Sequence, residues 1–137
     1  MSKQSIDYQA ELARGVAKWQ EFEATLADQE LLDEDGYPTD IALQAIQQWH
    51  WTDVRGWFEF IHSIWWMADW GWTETYGPDE HDPEKAVTRI SMATGGWSGN
   101  ESCIRAMQSN NMMWHLNWLQ SRRGGHYIFE LREFGDE

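Results

Sequence analysis

The strongest constraint on the fold is a pair of alternating runs near the C-terminus, on either side of the turn residues RRGG at 122–125. In each run an apolar side chain returns at every second position, which is the repeat of a β-strand with one buried face. The first run contributes Met112, Trp114, Leu116 and Trp118, and the second contributes Tyr127, Phe129 and Leu131. An antiparallel hairpin around this turn pairs Ser121 with His126, Trp118 with Phe129, and Leu116 with Leu131. The sequence therefore predicts a C-terminal hairpin with one apolar face.

The reverse face of this predicted hairpin is polar. Its members are His115, Asn117, Glu130 and Arg132, with His115 expected opposite Arg132 and Asn117 opposite Glu130. A polar face on a hairpin usually meets water. Solvent is therefore the expected environment of these four side chains.

The first half of the chain has helical periodicity. Apolar residues recur at intervals of three or four over 5–28, 40–49 and 52–68, which predicts three amphipathic helices. Thr39 or Asp40 is expected to cap the second helix, and Thr52 the third. The segment 31–38 is acidic and rich in turn residues, and the segment 71–84 contains two prolines and no sustained period. Both are predicted to be exposed acidic connections.

The stretch TGGWSGNES at 94–102 separates a predicted strand at 87–93 from a predicted helix at 99–109. Ser98 and Glu101 have the spacing of a capping box, in which each side chain accepts a hydrogen bond from the backbone of the other. The chain is thus predicted to be a single α+β domain over 1–137. Its helical part at 1–70 contains three helices packed on a small antiparallel sheet of about three strands. Its strand–helix–hairpin part at 86–134 contains one inserted helix.

The charge limits the choice of partner. Ten basic and 23 acidic residues give a formal net charge of −13. This charge repels phosphate backbones at long range, so direct nucleic-acid binding is disfavoured and a basic protein is a more suitable partner. A solvated acidic surface without any partner is the plainer interpretation.

Cellular location is constrained only by what the sequence lacks. The N-terminal residues contain no uninterrupted apolar segment of the kind found in signal peptides or membrane spans, and the single cysteine, Cys103, has no internal disulfide partner. We therefore expect a cytoplasmic protein with no membrane association.

Tryptophan is unusually frequent, with 11 in 137 residues. A domain of this size does not readily bury so many indoles, and exposed tryptophan marks contact surfaces. The residues predicted to contact a partner are Trp51, Trp66, Trp70 and Trp72.

The glycine-rich stretch also allows an anion site. Backbone N–H groups at a helix N-terminus attract anions, and the basic hairpin turn would supply countercharge. The candidate residues are Gly95, Gly96, Ser98, Gly99, Asn100, Arg122, Arg123 and His126. The stretch matches neither a P-loop nor the dinucleotide fingerprint. Because the Glu101 carboxylate competes for the same N–H groups, a structural turn is the preferred interpretation.

Metal and catalytic chemistry receive little support. The five histidines show no HExxH spacing, and Asp79, Glu80, His81 and Asp82 are interpreted as a solvated loop rather than a cation site. Cys103 has no histidine nearby in the sequence, and Ser98 is assigned to capping. No catalytic residue, metal or cofactor is expected.

The C-terminal segment resembles a family of small uncharacterised proteins encoded by bacteriophages and prophages. The resemblance covers about residues 86–133 and depends on the paired motifs GGWSGNE and RGGHY. It implies a phage origin and a host-cell setting, and it implies no activity.

Two functions of different kinds follow. The first is a non-catalytic binder that inhibits or redirects a host protein, in the manner of anti-restriction or anti-CRISPR proteins that imitate DNA charge. The alternative is binding or hydrolysis of a phosphorylated small molecule at the glycine-rich turn and hairpin tip. Self-association through exposed tryptophan is a third hypothesis.

Overall fold

The computed structural model describes residues 3–79 and 81–132, with side chains described from Tyr8 onward. The helices are α1 (Lys3–Thr25), α2 (Asp40–Gln48), α3 (Val54–Ile64), α4 (Ala68–Gly71), α5 (Ser98–Ser109) and α6 (Asn111–Asn117), and a 3-10 turn (Leu26–Asp28) follows α1. The strands are β1 (Trp72–Pro78), β2 (Ala86–Ala93), β3 (Trp118–Arg122) and β4 (His126–Glu130). They form one antiparallel sheet in the order β1-β2-β4-β3. The α+β class is confirmed, with four strands instead of the expected three.

The N-terminal helices follow the predicted periodicity, but the third ends at Ile64 instead of residue 68, and its cap differs from the predicted one. Thr39 caps α2 as expected, because its hydroxyl accepts the Ala42 N–H at 3.4 Å. The expected cap of α3, Thr52, is wrong: Asp53 accepts the Gly56 N–H at 3.1 Å. The Thr52 hydroxyl instead lies 2.8 Å from a ring nitrogen of His50.

The segment predicted as an exposed acidic loop contains a strand. Residues 72–78 form β1, which pairs with β2 along its whole length, from Trp72 opposite Met92 to Pro78 opposite Ala86. Proline is tolerated on an edge strand, where a missing N–H breaks no ladder. Pro78 is the last residue of such an edge strand, so it does not prevent pairing.

The predicted strand at 112–119 is largely a helix. Asn110 caps α6 by accepting the Met113 N–H at 3.4 Å, and its side-chain NH2 donates to the carbonyls of Ile46 and Trp49 at 3.0 Å each. Met113 is fully buried. These tertiary contacts select a seven-residue helix over the strand that the alternating pattern favours.

A C-terminal hairpin forms around the predicted turn, but with shorter strands than expected, and its register is partly confirmed. Trp118 lies opposite Phe129 as predicted, but an irregularity between Trp118 and Gln120 shifts the pairs nearer the turn. His126 consequently pairs with Arg122 instead of Ser121. The predicted pairing of Leu116 with Leu131 is wrong, because Leu116 belongs to α6.

The cross-strand pairs predicted for the polar hairpin face are also wrong. Asn117 accepts the backbone N–H of Arg132 at 2.6 Å, and His115 contacts the Asn111 carbonyl within α6. Glu130 is 1% exposed and forms ion pairs with Arg89 and with Arg132. Glu130 and Asn117 are thus buried structural groups and do not face solvent.

A second carboxylate joins this network from the connection between β1 and β2. Asp79 is buried and accepts a hydrogen bond from the Arg132 guanidinium at 2.6 Å. That bond, together with the His81 backbone N–H at 2.8 Å, holds the pKa of Asp79 below its usual value. Asp79 is therefore not the solvated loop residue that the sequence suggests, while Glu80 lies outside the described residues.

One apolar core joins the helices to the sheet. It includes Ile46, Trp57, Ile61, Ile90, Met107 and Phe129, together with residues from the turn after α1 and from α6. Within the described residues, no helix is both long enough and apolar enough to cross a membrane.

Candidate protein-interaction surface

The glycine-rich stretch forms a tight corner between β2 and α5. Gly95 and Gly96 have φ values of 63° and 74°, in the left-handed region that favours glycine. The Thr94 carbonyl accepts the Trp97 N–H at 3.0 Å, and the Thr94 N–H donates to the Gly125 carbonyl at 3.0 Å. The corner is therefore fixed both internally and against the hairpin.

Helix α5 begins where predicted, but the capping box is wrong. Ser98 is the first helical residue, the cap position is held by Trp97, and no side chain caps it. The Glu101 N–H donates to the Trp97 carbonyl at 3.0 Å. The Ser98 hydroxyl instead lies 3.5 Å from the hydroxyl of Tyr37, to which it donates.

Trp97 stacks on two other aromatic rings. The Tyr37 and Trp97 centroids lie 4.5 Å apart with an interplanar angle of 25°, and those of Trp66 and Trp97 lie 4.9 Å apart at 28°. A Cβ on Gly99 would lie 2.5 Å from the Trp97 indole nitrogen and 3.2 Å from Pro38. Only glycine leaves room for the indole to fold back over the start of α5.

The connection after α3 adds two more exposed side chains. Met67 has φ 58° and ψ 44°, a left-handed conformation that costs a residue with a Cβ about 1–2 kcal/mol. The Met67 carbonyl accepts the N–H groups of Trp70 at 3.0 Å and Gly71 at 2.8 Å. Trp70 also packs over the backbone of Gly95, where a Cβ would lie 3.0 Å from the ring.

We call Tyr37, Trp66, Met67, Trp70 and Trp97 the aromatic ridge. Four of them are exposed: Tyr37 by 36%, Trp66 by 44%, Met67 by 52% and Trp70 by 64%. Trp97 is half-buried between its neighbours. Grouped exposure of large apolar side chains is typical of contact surfaces.

Acidic groups lie beside the ridge. The turn at 33–36 is held by Asp33, whose carboxylate accepts the N–H groups of Asp35 and Tyr37 at 2.9 Å each. This turn presents exposed carboxylates next to Tyr37, and exposed Asp69 is the neighbour of Trp70 in α4. The ridge therefore has an acidic border.

The partner-contact candidates divide into two groups. Trp66 and Trp70 are exposed and belong to the ridge. Trp51 is half-buried and stacks on His50 at 5.6 Å, and half-buried Trp72 packs edgewise on His62 at 4.9 Å. Tyr37, Met67 and Trp97 were not among the candidates, although Trp97 stands in the quoted motif. No sequence signal marks the left-handed conformation of Met67.

The anion-binding candidates in the glycine-rich turn include three residues whose contacts hold the fold together. Asn100 is 2% exposed, and its side chain is bonded to Trp66 and to the Thr94 carbonyl. Gly99 is buried beneath Trp97, and the Ser98 hydroxyl is directed at Tyr37.

The anion-binding candidates in the hairpin do not reach the glycine-rich turn, which the hairpin contacts through Gly125. Gly125 contacts Thr94, but the Arg122 guanidinium bonds Gln120 at 3.1 Å and the His126 ring bonds Ser91. A cleft of about 290 Å³ between α5 and the hairpin is lined by Thr94, Gly125 and Tyr127 with residues of α5, and the described lining includes neither Arg122, Arg123 nor His126. The eight candidates therefore do not converge on one cleft.

The described residues give little support to nucleophilic or metal chemistry. Cys103 is buried, and burial raises the pKa of its thiol to about 12. The thiolate is thus negligible at neutral pH. Within residues 3–79 and 81–132, no three histidine, cysteine, aspartate or glutamate side chains are grouped as a metal site.

Comparisons of the chain with protein-family models, curated proteins and solved structures find no match. The resemblance to phage-encoded proteins stays a prediction.

Proposed function

We propose that this protein is a non-catalytic binding protein that docks its aromatic ridge on a basic surface of a host protein. The observation that carries the proposal is the grouped exposure of Trp66, Met67 and Trp70, by 44%, 52% and 64%. Indoles at the centre of an interface contribute a large share of binding energy.

The ridge is organised before any partner arrives. Trp66 is stacked on Trp97 and anchored through its backbone to Asn100, and Trp70 packs on Gly95. Side chains that are already fixed lose less conformational entropy on binding. Because the ridge is already fixed, we interpret it as a docking surface and not as an incidental group of exposed side chains.

Charge defines the chemistry of the partner. The net charge of −13 and the acidic border at 33–35 and Asp69 repel acidic surfaces and steer basic ones. A basic protein surface with an apolar pocket complements the ridge in both respects. The same charge disfavours direct contact with nucleic acid.

The resemblance to phage-encoded proteins supplies a setting for this proposal. A host defence protein of the restriction or CRISPR kind carries a basic surface for nucleic acid, and an acidic protein that occupies this surface inhibits it in the host cytoplasm. The proposal is that this chain acts in that way.

The test begins with covalent capture from host lysate to identify the partner, followed by affinity measurements with the purified partner. Trp66→Ala and Trp70→Ala are each expected to weaken binding about 30-fold, the effect of losing a residue worth about 2 kcal/mol. Trp118→Ala is the matched control, because Trp118 is 43% exposed but lies on the hairpin. Binding is expected to weaken as salt is raised.

Two results would contradict the proposal. Equal weakening by Trp118→Ala would show that exposed indoles act without regard to position. Affinity that is independent of salt would remove the acidic border from the interaction.

The second candidate is the phosphorylated small molecule considered from the sequence, and its one structural support is that Thr94 of the glycine-rich turn contacts Gly125 of the hairpin. A ligand that binds only the folded state raises the melting temperature. A panel of nucleotides and sugar phosphates that leaves the melting temperature unchanged would eliminate it.

The ridge could also pair with the ridge of a second copy of the chain. Light scattering over a concentration range separates a monomer from a dimer. A dimer that Trp70→Ala dissociates would assign the ridge to self-association.

A further inference from the structure

Strand β1 is an open edge of the sheet. It stands first in the order β1-β2-β4-β3, and it pairs with β2 along all seven of its residues. Among the described residues, no strand pairs with its other side. Residues 73–76 are exposed, and the 76% exposure of Tyr76 is the highest of any large hydrophobic side chain in the described part of the chain. The outer side of β1 is therefore accessible to another strand.

The two edges of the sheet differ in how they are protected. Natural edge strands avoid pairing with other chains by being short, by bulges, and by charged side chains or proline. The β3 edge has five residues, an irregularity after Trp118 and the guanidinium of Arg122. The β1 edge has seven residues in a regular ladder, one charged side chain, Glu74, and a proline only at its last position. Of the two edges, β1 is therefore the one suited to pairing.

The pairing of β1 with β2 determines which backbone groups point outward. In an antiparallel pair, residues whose N–H and C=O both point to the partner strand alternate with residues whose groups both point away. The Asp79 N–H donates to the Lys85 carbonyl at 2.8 Å, so the odd-numbered residues of β1 also point to β2. The residues whose N–H groups point outward are Trp72, Glu74 and Tyr76.

The hydrogen bonds on the other side of β2 agree with this alternation. Thr88 lies opposite Tyr76, and its carbonyl accepts the N–H of Leu131, just after β4, at 3.0 Å. Thr88 thus points away from β1, as the residue opposite an outward-pointing Tyr76 must. The outward N–H groups of β1 are consequently available to a further strand.

The sequence of β1 is complementary to itself in one antiparallel register. With Thr75 opposite Thr75 of a second copy, all seven residues pair, and Glu74 lies opposite Tyr76. Outward-pointing residues then oppose each other, so each Glu74–Tyr76 pair exchanges both of its backbone hydrogen bonds. A shift of two residues in either direction shortens the pairing, and one of these shifts opposes the two Glu74 carboxylates, which is unfavourable.

We propose that two copies of the chain pair through β1 in this register, so that their sheets form one continuous antiparallel sheet. The contact is symmetric, since each copy supplies the same seven residues. It includes no residue of the aromatic ridge. This proposal and docking at the ridge can therefore each fail without the other.

Sedimentation of the full chain over a wide concentration range, at low and high salt, tests for the dimer. A reversible equilibrium between monomer and dimer is expected. Because each copy carries a net charge of −13, added salt should strengthen dimerisation, whereas it should weaken docking of the ridge on a basic partner. A chain that stays monomeric at all concentrations overturns the proposal and leaves the edge to a strand of another protein.

Hydrogen exchange tests whether β1 is the contact. The N–H groups of Glu74 and Tyr76 are expected to exchange more slowly as the protein concentration rises. Those of Thr73 and Thr75 point to β2 in the monomer and the dimer alike, so their exchange should not depend on concentration. Exchange at Glu74 and Tyr76 that is equally fast in monomeric and dimeric samples would overturn the proposal.

Cysteine substitutions test the register. Opposed residues that share no hydrogen bond have Cα atoms about 4.5 Å apart, within the range that a disulfide spans. Thr75→Cys is therefore expected to form a covalent dimer under mild oxidation, while the native Cys103 is buried. Thr73→Cys is the control, because residue 73 opposes Gly77 of the second copy and lies far from its own counterpart. Equal cross-linking of the two variants would contradict the register.

Proline substitutions separate the two edges. Tyr76→Pro removes an outward N–H without breaking the ladder to β2, so it is expected to weaken dimerisation at least about tenfold. Ser121→Pro is the matched control on the β3 edge. Ser121 lies opposite Tyr127, which points to β2, so its N–H also points outward and its loss should leave dimerisation unchanged. A dimer that Trp70→Ala dissociates and Tyr76→Pro does not would belong to the ridge, against this proposal.

Discussion

The side-chain amide of Asn100 holds the backbone of Trp66 at two points. Its oxygen accepts the Trp66 N–H at 2.9 Å, and its nitrogen donates to the Trp66 carbonyl at 3.0 Å. The same nitrogen lies 3.3 Å from the Thr94 carbonyl. One buried side chain thereby joins the start of α5, the glycine-rich corner and the connection after α3. The position of the exposed indole depends on a residue that has almost no contact with water.

Asn100→Ala is expected to destabilise the fold by about 2–3 kcal/mol, because burying polar groups without partners is costly. The variant leaves the Trp66 N–H and carbonyl unpaired in a part-buried environment. Urea unfolding measures the change in free energy.

Asn111→Ala serves as the matched control for this variant. Asn111 is exposed at the start of α6, so its replacement is expected to change the unfolding free energy by less than about 0.5 kcal/mol. Equal effects of the two substitutions would show that the Asn100 bonds do not stabilise the corner.

Local sequence rules predicted the elements that are locally determined. Helix α2 has a capping threonine and a regular apolar stripe, and the C-terminal hairpin has positive-φ glycines at 124 and 125 between two apolar runs. Such signals act within a few residues. Helix α2 appears within one residue of its predicted bounds, and the hairpin turn lies where it was predicted, although both hairpin strands are shorter than expected.

The elements that were predicted wrongly depend on partners distant in sequence. Helix α6 is held by Asn110, which reaches Ile46 and Trp49 more than 60 residues away. Strand β1 forms because β2 pairs with it, although its own sequence contains two turn-forming residues, Gly77 and Pro78. Neither contact is visible in a local pattern.

Only part of the candidate surface could be predicted from the sequence, for the same reason. Exposed Trp66 and Trp70 follow from the number of tryptophans and the adjacent pairs in the sequence. The stacking of Tyr37 on Trp97 joins residues 60 positions apart. The glycine-rich stretch, for which a structural turn was the preferred interpretation, is a corner against which these aromatic side chains pack.

Gly99→Ala is expected to displace Trp97 from its place between Tyr37 and Trp66. The added Cβ would lie 2.5 Å from the indole nitrogen, and stacking on Tyr37 and Trp66 restricts the movement that could relieve the contact. Near-ultraviolet circular dichroism reports the loss of fixed aromatic packing. Alanine is the better helix former by about 1 kcal/mol, so a stabilised variant with unchanged aromatic signals would show that the steric conflict is easily relieved.

Gly77→Ala is the control for Gly99→Ala. A Cβ at Gly77 meets nothing within 4 Å, and the position is in an extended strand. We expect unchanged aromatic signals and equal or slightly higher stability, since alanine restricts the unfolded chain more than glycine does.

Because of Asp79, the stability of the fold is expected to depend on pH in the acid range. Its folded-state pKa is lowered, first by the hydrogen bond from Arg132, so its contribution is fully present above the unfolded pKa of about 3.9 and is lost as pH falls through the lower folded value. Melting temperatures measured between about pH 2 and 7 should show Asp79→Asn less stable than the wild type above pH 4, with the difference shrinking below it.

Glu84→Gln, an exposed position in the same connection, is the control for Asp79→Asn and is expected to follow the wild-type curve. A difference between Asp79→Asn and the wild type that stays constant at all pH values would show that the Asp79 carboxylate does not titrate with folding.

Cys103 is expected to be unreactive in the folded protein. Its side chain is fully buried, and burial raises its pKa to about 12, so both access and the thiolate form are lacking. Reaction with a chromogenic disulfide reagent should be slow in native buffer and rapid and complete in urea. Fast stoichiometric reaction in native buffer would indicate that the core beneath α5 opens readily.

Met67→Gly is expected to leave the free energy of unfolding unchanged or to raise it by up to about 1 kcal/mol, although it removes a large side chain. Met67 has φ 58°, and glycine adopts this conformation without the steric penalty. Met112→Gly is the matched control, because Met112 is equally exposed, at 53%, but helical, and glycine there costs about 1 kcal/mol. Urea unfolding of both variants decides the matter: equal destabilisation would mean that the Met67 side chain contributes packing that outweighs its backbone strain.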